Sequence, residues 1–294
     1  MILVIGGTGR IGSALVRRLK KTGVPVRAMV RDPVVAATKP GFDVETVAGD
    51  LDAPGSLDAA LAGATSLFLL TTQSPRQREQ ELAAIMAAGR AGVRYVVKVS
   101  ASDAATGPDS PTPVGRAHAA AEAALKASGM AWTILRPSAF MPVVLGPLFQ
   151  QAGARGGFQL PLGSGRVAFV DVEDIARAAA WALTHPAEAA GRTLSVTGPE
   201  SLGINDIADR FAAALGRPVK ASSPPAFLAR LVLGRRIADP FLRRHQLAML
   251  DLMRSGGMSR VSPDLENATG EPGRSVADWL AAAAARPANG ETSA

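Results

Sequence analysis

Short apolar runs alternate with amphipathic stretches through the first 200 residues of the chain. The run at residues 1–5 (MILVI) predicts a strand, and the stretch after Gly12 (SALVRRLKKTG) has its apolar positions at helical spacing. Later runs predict strands at 25–30, 44–47, 65–70, 94–99 and 131–135, and helices at 56–61, 76–89 and 116–128. Strands that alternate with helices in this way predict an α/β fold with a doubly wound parallel sheet.

The pattern loosens beyond Pro142, and we expect a smaller, mostly helical region to begin there. The further elements expected are hairpin-like pieces at 156–165, a strand at 166–170, a helix at 172–185 and a strand at 192–196. We expect residues 1–150 to form the main domain, with 166–197 returning to it, and residues 151–294 to form a substrate-binding or lid region. Residues 286–294 are expected to be disordered.

Two late amphipathic segments are rich in Leu, Met and Phe, at residues 225–234 (PAFLARLVLG) and 240–255 (PFLRRHQLAMLDLMRS). Such stripes most often belong to a hydrophobic core. Because both follow the end of the predicted sheet, they could instead form a lid over a cleft, and the sequence leaves both alternatives open.

A glycine-rich turn joins the first strand directly to the first helix. Its glycines have the spacing G-x-x-G-x-x-G, and glycine is needed where a backbone approaches a diphosphate or where a helix packs closely on a strand. Strand, turn and helix together predict a Rossmann-type dinucleotide site rather than a merely structural turn. The cofactor-binding residues expected on this turn are Gly6, Thr8, Gly9, Arg10, Ile11 and Gly12.

The end of the second predicted strand suggests which dinucleotide binds. An acidic residue there suits the ribose hydroxyls of NAD, whereas an arginine suits the 2′-phosphate of NADP. Both types occur side by side, but Arg31 directly follows the apolar run while Asp32 precedes a proline. We therefore expect Arg31 to bind the phosphate and the cofactor to be NADPH; the alternative is that Arg31 is a solvated strand end.

Polar residues follow two other strands at the carboxyl edge of the sheet, where open α/β sheets bind ligands. We expect Asp50 and Leu51 near the adenine, with capping of the next helix as an alternative role for Asp50. Thr71 and Thr72 follow the fourth strand and are also expected to contact the cofactor.

Composition removes several classes of function. The chain of 294 residues has no cysteine and only three histidines far apart, which excludes disulfides and thiolate chemistry and leaves no expected metal site. The net charge of +7 raises nucleic acid as a partner, but only 4% of residues are aromatic and the densest basic groups, at 235–236 and 243–245, are interpreted as solvated helix faces. We expect no nucleic acid as the main partner.

Apolar run length and the N-terminal residues indicate where the protein is expected to be located. No window approaches about 18 consecutive apolar residues, and the chain enters its first strand without a basic leader. We expect a cytoplasmic protein with no membrane partner.

Four sequence segments together carry a family signature: GGTGRIG, VRDP, AGD and HAAAEAALKASGMAWTILRPSAF. The chain resembles the NmrA-like, atypical branch of the short-chain dehydrogenase/reductases. Within that branch it is similar to the type 2 NAD(P)H:quinone oxidoreductases and to the bacterial ketone reductases of aromatic polyketide pathways. The resemblance covers residues 1–200 well.

The resemblance also implies roles for residues near the nicotinamide. Pro137 would contact the cofactor, and Ser138, Phe140 and Met141 would line the substrate pocket. Ser102 falls at the family's catalytic serine position. The tyrosine and lysine of the usual proton donor are replaced by Val114 and His118, and the only tyrosine, Tyr95, lies inside a predicted strand.

His118 is then the remaining candidate acid. It shares a helix face with Glu122 four residues later, and this carboxylate could orient or charge the imidazole. The alternative is a surface histidine paired with a glutamate.

Two functions fit these features. The first is an NADPH-dependent oxidoreductase that transfers hydride to a polycyclic aromatic ketone or quinone, in secondary metabolism such as antibiotic biosynthesis, as a monomer or homodimer. A quinone or conjugated ketone gives a stabilised anion, so the missing tyrosine is tolerable. The second is a non-catalytic, dinucleotide-sensing regulator, which the resemblance also allows.

Overall fold

The computed structural model describes residues 1–38 and 43–284. Seven strands form one fully parallel sheet and two short strands form a separate parallel pair. The strands are β1 (Ile2–Ile5), β2 (Val26–Val30), β3 (Glu45–Ala48), β4 (Ser66–Leu69), β5 (Tyr95–Val99), β6 (Ala131–Pro137), β7 (Gly157–Gln159), β8 (Arg192–Val196) and β9 (Lys220–Ser222).

Helices connect and cover the strands. They are α1 (Arg10–Lys20), α2 (Pro33–Ala37), α3 (Leu57–Leu61), α4 (Gln77–Arg90), α5 (Pro113–Ala127), α6 (Met141–Arg155), α7 (Val172–Thr184), α8 (Pro186–Ala189), α9 (Ile204–Leu215), α10 (Ala226–Arg236), α11 (Pro240–Arg254), α12 (Asp264–Thr269) and α13 (Val276–Ala284), with a 3₁₀ turn at Pro54–Ser56.

The sheet order confirms the doubly wound α/β fold. Strands run β3-β2-β1-β4-β5-β6-β8, so the chain reverses its direction of travel across the sheet between β1 and β4. Ligands of open α/β sheets bind outside the carboxyl ends of the strands at such a reversal. The turn after β1 and the residues after β4 meet at this place.

Both faces of the sheet are covered, which explains its nearly continuous apolar strands. On one face α1 and α7 pack over a core that includes Leu15, Val97 and Ile175. On the other face α3, α4 and α5 enclose Leu67 and Ile85.

A third core lies within the later part of the chain. Its centre is a group of aromatic rings in which Phe211 lies 5.1 Å, between ring centroids, from both Phe149 and Phe158. These rings come from α9, α6 and β7, so this region has an apolar centre of its own beside the sheet.

Several sequence-based elements differ from the structure. The predicted hairpin at 156–165 is wrong, because β7 pairs in parallel with the distant β9. The predicted strand at 166–170 is reduced to single bridges made by Val167 and Val170. Helix α6 was not expected at all, and the expected disorder at 286–294 lies outside the described residues.

Candidate active site

The glycine turn after β1 is closed by two contacts that exclude side chains. A Cβ on Gly12 would lie 2.1 Å from the carbonyl oxygen of Gly6, and a Cβ on Gly6 would lie 2.6 Å from the carbonyl oxygen of Leu70. Gly6 also has a φ of +85°, which strongly favours glycine. These glycines bring α1 directly onto the turn and the turn directly onto the end of β4.

The amino terminus of α1 is open to a ligand. Its first N–H groups have no acceptor within the helix, and the N-cap residue Gly9 provides no side-chain hydrogen bond. Of the other residues expected here, Thr8 is partly buried, Arg10 is exposed and Ile11 is buried in the core. Ile11 can therefore offer its backbone N–H but not its side chain.

The two candidate ribose-binding residues at the end of β2, Arg31 and Asp32, differ in what their side chains contact. The Asp32 carboxylate caps α2 by accepting hydrogen bonds from the backbone N–H groups of Val34 and Val35, at 2.9 and 3.2 Å. Arg31 is exposed at the strand end. The acidic side chain thus already has a structural role, and the cationic one remains accessible.

Asp50 organises the turn after β3. Its carboxylate accepts the backbone N–H of Asp52 at 2.9 Å, and its own N–H donates to the Ser56 hydroxyl at 2.9 Å. Leu51, which follows it, is half-buried against the core. Both residues lie at the carboxyl edge of the sheet.

A cleft of about 330 Å³ lies beside the turn, beyond the carboxyl ends of β4, β5 and β6. The expected site residues on its wall are Thr71, Thr72, Ser102, His118, Pro137, Ser138 and Phe140. Met141 is the exception, because its side chain is fully buried in the third core rather than on the cleft wall.

Helix α11 forms one wall of the cleft. It contributes His245, Gln246, Met249 and Met253. No residue of α10 lines the cleft in the described part of the chain, so the lid interpretation applies to α11. The interpretation of 243–245 as a solvated face is wrong for His245, which is 4% exposed.

A fully buried ion pair lies behind His118. The side chains of Glu81, on α4, and Lys98, on β5, have no solvent exposure, and Glu81 Oε2 lies 3.1 Å from Lys98 Nζ. His118 Nδ1 lies 2.9 Å from Lys98 Nζ and 3.2 Å from Glu81 Oε1. The imidazole therefore lies between the buried pair and the cleft.

Two contacts of His118 Nδ1 favour opposite tautomers. Lys98 Nζ, which can only donate, lies 2.9 Å from Nδ1 and favours a ring proton on Nε2, whereas the Glu81 carboxylate, which can only accept, lies 3.2 Å away and favours a proton on Nδ1. The shorter contact gives the Nε2–H tautomer used below. Nε2 lies 3.1 Å from Gln77 Nε2. In the structure this amide nitrogen also donates to Thr71 Oγ1 at 3.2 Å and to Glu81 Oε1 at 3.5 Å. Exchanging the oxygen and nitrogen of the Gln77 amide removes those two contacts and places its oxygen, otherwise without a partner among the described residues, opposite the Nε2–H.

Burial and charge fix the protonation of this group. Burial lowers the pKa of His118, and the charge of Lys98 lowers it further against the opposing effect of Glu81. Burial alone would raise the pKa of Glu81, but Lys98 and His118 outweigh burial and lower it to about 2. Near neutral pH the cleft therefore faces a neutral imidazole supported by a carboxylate and an ammonium.

Glu122 does not contact His118, which corrects the expected pairing. Its carboxylate accepts from Arg136 Nη2 at 2.6 Å and Nε at 3.1 Å, and from the Ser100 hydroxyl at 2.6 Å. The shared helix face was correct, but side chains on β5 and β6 determine which partner each residue has. His118 is 7% exposed, so it is not a surface histidine either.

Comparison with known proteins identifies the family. Residues 1–248 match the NmrA-like family. The chain belongs to this family. It is 36% identical over 291 residues to the NAD(P)H azoreductase of Xenophilus azovorans, covering 97% of this chain and 98% of that protein.

Two further proteins are similar to this NmrA-like chain over nearly its whole length. It is 34% identical over 283 residues to the (4-alkanoyl-5-oxo-2,5-dihydrofuran-3-yl)methyl phosphate reductase of Streptomyces griseus, covering 96% of this chain and 97% of that one. The NADPH-dependent quinone oxidoreductase of Escherichia coli, solved with NADPH, matches with a TM-score of 0.84 at 25% identity, covering 96% of this chain and 99% of that chain.

Four residues of the site were missed by sequence reasoning: Gln77, Glu81, Lys98 and His245. One signal was available, because Lys98 lies between valines in a strand that is otherwise apolar and buried. A charge in such a strand requires a partner. Nothing in the spacing identified that partner as Glu81, which lies 17 positions earlier on another element.

Within residues 1–38 and 43–284, no helix is both long and apolar enough to cross a membrane.

Proposed function

We propose that this protein transfers hydride from NADPH to a quinone or to a ketone conjugated with aromatic rings. The observation that carries the proposal is the apolar cleft beside the glycine turn, with a buried imidazole donor on its wall. The chain is an NAD(P)H-dependent reductase, in keeping with its relatives, which include an azoreductase and a quinone oxidoreductase. The choice of substrate within that class is the proposal.

The residues of the turn suit a dinucleotide. The close contacts at Gly6 and Gly12 hold the turn against β4 and α1, and the exposed Gly9 has no side chain where a diphosphate would approach. The open N-terminus of α1 favours a negative charge there. Arg31 would bind the 2′-phosphate, with Asp50 and Leu51 near the adenine and Thr71, Thr72 and Pro137 near the nicotinamide. NADPH supplies a hydride ion when it is bound there.

The protein's own contribution is a hydrogen-bond donor at the reacting oxygen. A substrate oxygen can replace Gln77 as the acceptor from Nε2–H of His118, and Lys98 can donate to Nδ1 as that proton moves. Glu81 holds Lys98 and His118 in this arrangement. The proton passes from His118 Nε2 to the oxygen as Lys98 protonates Nδ1, and after product release a proton from solvent in the cleft returns through His118 to Lys98.

The absence of the usual tyrosine limits the substrates. A neutral imidazole is a weak acid, so it suits an oxygen whose charge is spread over conjugated rings better than the alkoxide of a simple ketone. The apolar wall, including Phe140 and Met249, favours a flat aromatic body. A role in secondary metabolism stays a prediction.

The test is NADPH oxidation with a panel of naphthoquinones and aromatic polyketide ketones. We expect turnover of both, and we expect His118→Phe to lower kcat about 100-fold with the ketones but about tenfold or less with the quinones, whose anions need less help. His118→Gln keeps a donor and should restore part of the ketone activity. His185→Ala, which alters an exposed histidine at the end of α7, is the matched control.

Two results would contradict the proposal. Tight cofactor binding without oxidation of NADPH by any acceptor would favour the sensing regulator. Full ketone activity in a folded His118→Phe protein would show that solvent supplies the proton.

A further inference from the structure

Apart from Gln77, whose exchanged amide turns its oxygen to His118, three side chains on the cleft wall carry a polar atom with no hydrogen-bond partner among the described residues. These atoms are Ser102 Oγ, Ser138 Oγ and His245 Nδ1. Each residue is at least nine-tenths buried. Buried polar groups in proteins are nearly always paired, and an unpaired one costs about 1–3 kcal/mol, so these atoms point to a ligand.

His245 stands apart from the two serines. Ser102 and Ser138 follow β5 and β6, which are neighbours in the sheet, so their hydroxyl groups lie at the same edge. His245 comes from α11, a separate wall of the cleft. An oxygen bound at the sheet edge can satisfy the serines, but the imidazole of α11 needs a partner of its own.

The surroundings of His245 indicate the shape of its partner. Met249 and Met253 lie one and two turns further along the same face of α11 and also line the cleft. Thioethers adapt to flat apolar surfaces and make favourable contacts with aromatic rings. The wall thus presents an apolar stripe for a planar ring system with a single imidazole at one end.

The charge of His245 indicates the chemistry of its partner. Burial, together with the charge of nearby His118, lowers the pKa of this imidazole to about 4. A neutral imidazole has one donor and one acceptor nitrogen, so it can bind a hydroxyl group or a carbonyl. It offers no positive charge to balance a carboxylate or phosphate in an apolar site.

We propose that His245 binds a second, uncharged oxygen of the substrate, carried on a ring remote from the carbonyl that is reduced. The preferred substrates are then hydroxylated polycyclic quinones or ketones rather than unsubstituted ones. This inference rests on the proposed reductase function, because it names the substrate class of the same cleft.

The experiment compares 6-hydroxy-1,4-naphthoquinone with 6-methyl-1,4-naphthoquinone, which have similar shape but differ in the remote hydroxyl group. For the wild-type protein, kcat/KM should be about tenfold higher for the hydroxyl compound at a pH near 6, where the free phenol is mostly neutral. In His245→Phe this ratio should fall to about one, and His245→Asn should restore part of it. Arg244→Ala, at an exposed position on α11 outside the cleft lining, should leave the ratio unchanged.

Binding of the two quinones to the NADP⁺ complex is measured in parallel by calorimetry. If the wild-type protein reduces neither quinone, the quinone part of the reductase proposal fails, and the ratio of the two dissociation constants still tests His245. A ratio near one in the wild type, or a ratio that His245→Phe leaves unchanged, would overturn the inference. Thermal unfolding of His245→Phe should occur at the wild-type temperature or above, since the variant removes an unpaired buried atom.

Discussion

Glu81 and Lys98 stabilise each other in a place where neither charge could remain alone. Both side chains are fully buried, and the pair contacts His118 on the side that faces the cleft. Replacing a buried pair with apolar residues is often harmless, whereas removing one partner is costly. The pair therefore orients the imidazole at the expense of making the protein sensitive to the loss of either charge.

Stability at acid pH should report on Glu81. The pKa of this carboxyl is lowered from 4.5 to about 2 in the folded protein, so its contribution to stability is present above about pH 5 and is lost as the pH falls towards 2. We expect the free energy of unfolding to fall by roughly 3 kcal/mol over that range from this group. Urea denaturation at a series of pH values measures it.

Glu81→Gln should remove that part of the acid dependence. At pH 7 it should also destabilise the protein by about 3–5 kcal/mol, because Lys98 would be left buried without a counter-charge. Glu79→Gln, at an exposed position on the same helix, is the control and should do neither. An unchanged acid dependence in Glu81→Gln would mean that other carboxylates dominate it.

At the residue level, sequence reasoning placed side chains but not their partners. Thr71, Ser102, His118 and Ser138 lie on the cleft wall as expected, because residues after parallel strands share one edge. The partner of His118 was expected one helical turn away, at Glu122. That expectation failed because both residues are bound by groups on other elements, at sequence separations that no local pattern encodes.

At the scale of elements, the turn between β1 and α1 gives the sharpest test of the cofactor position, because its glycines lack side chains for different physical reasons. A Cβ on Gly12 would lie 2.1 Å from a backbone oxygen that cannot move freely, whereas a Cβ on Gly9 would lie 3.5 Å from the same oxygen, an ordinary contact. Gly12 is therefore required by the fold. Gly9 is required only if something must approach it.

Gly12→Ala should destabilise the protein by about 1–3 kcal/mol through overpacking and abolish NADPH binding. Gly9→Ala should change the free energy of unfolding by less than about 1 kcal/mol and still weaken NADPH binding at least tenfold, because its methyl group would project where the diphosphate approaches. Urea denaturation of the apo protein and calorimetry with NADPH measure the two effects. Wild-type affinity in Gly9→Ala would contradict the diphosphate position.

Helices and strands could be predicted from the sequence where a single hydrophobic pattern ran through the whole element. Strands β1, β4 and β5 are almost wholly buried, and their apolar runs are unmistakable. Helix α6 was missed because it contains prolines near its start and at Pro147, and its buried residues are few. The pairing of β7 with β9 is non-local and only three residues long, so no turn signal could reveal it.

For the whole molecule, the cleft lies where the sheet meets the region built around the third core. The sheet edge contributes His118 and the serines, and α11 contributes His245 and its methionines. This arrangement follows from the topology, since the reversal between β1 and β4 leaves a crevice and the chain then returns to cover it. Sequence reasoning left open whether the two late helices form a lid or a core, and it could not tell that residues of α11 rather than α10 would line the cleft.

Cofactor binding should therefore stabilise the entire fold and reveal the role of Arg31. At a concentration of NADPH about 100 times its dissociation constant, stability should rise by about 2.7 kcal/mol, which corresponds to roughly 5–10 °C in Tm. NADH at the same concentration should give a much smaller shift, because Arg31 would then have no 2′-phosphate to bind. Thermal unfolding with each cofactor measures both.

Arg31→Ala should remove most of the difference between NADPH and NADH, lowering NADPH affinity about 10- to 100-fold while changing NADH affinity little. Arg94→Ala is the control, since Arg94 is also exposed but precedes β5 at the opposite edge of the sheet. An Arg31→Ala protein that still prefers NADPH would place the 2′-phosphate elsewhere. Asp32 is held as the cap of α2 and would not bind the ribose hydroxyls of NADH. Such a result would therefore mean that another cation at the carboxyl edge binds the 2′-phosphate.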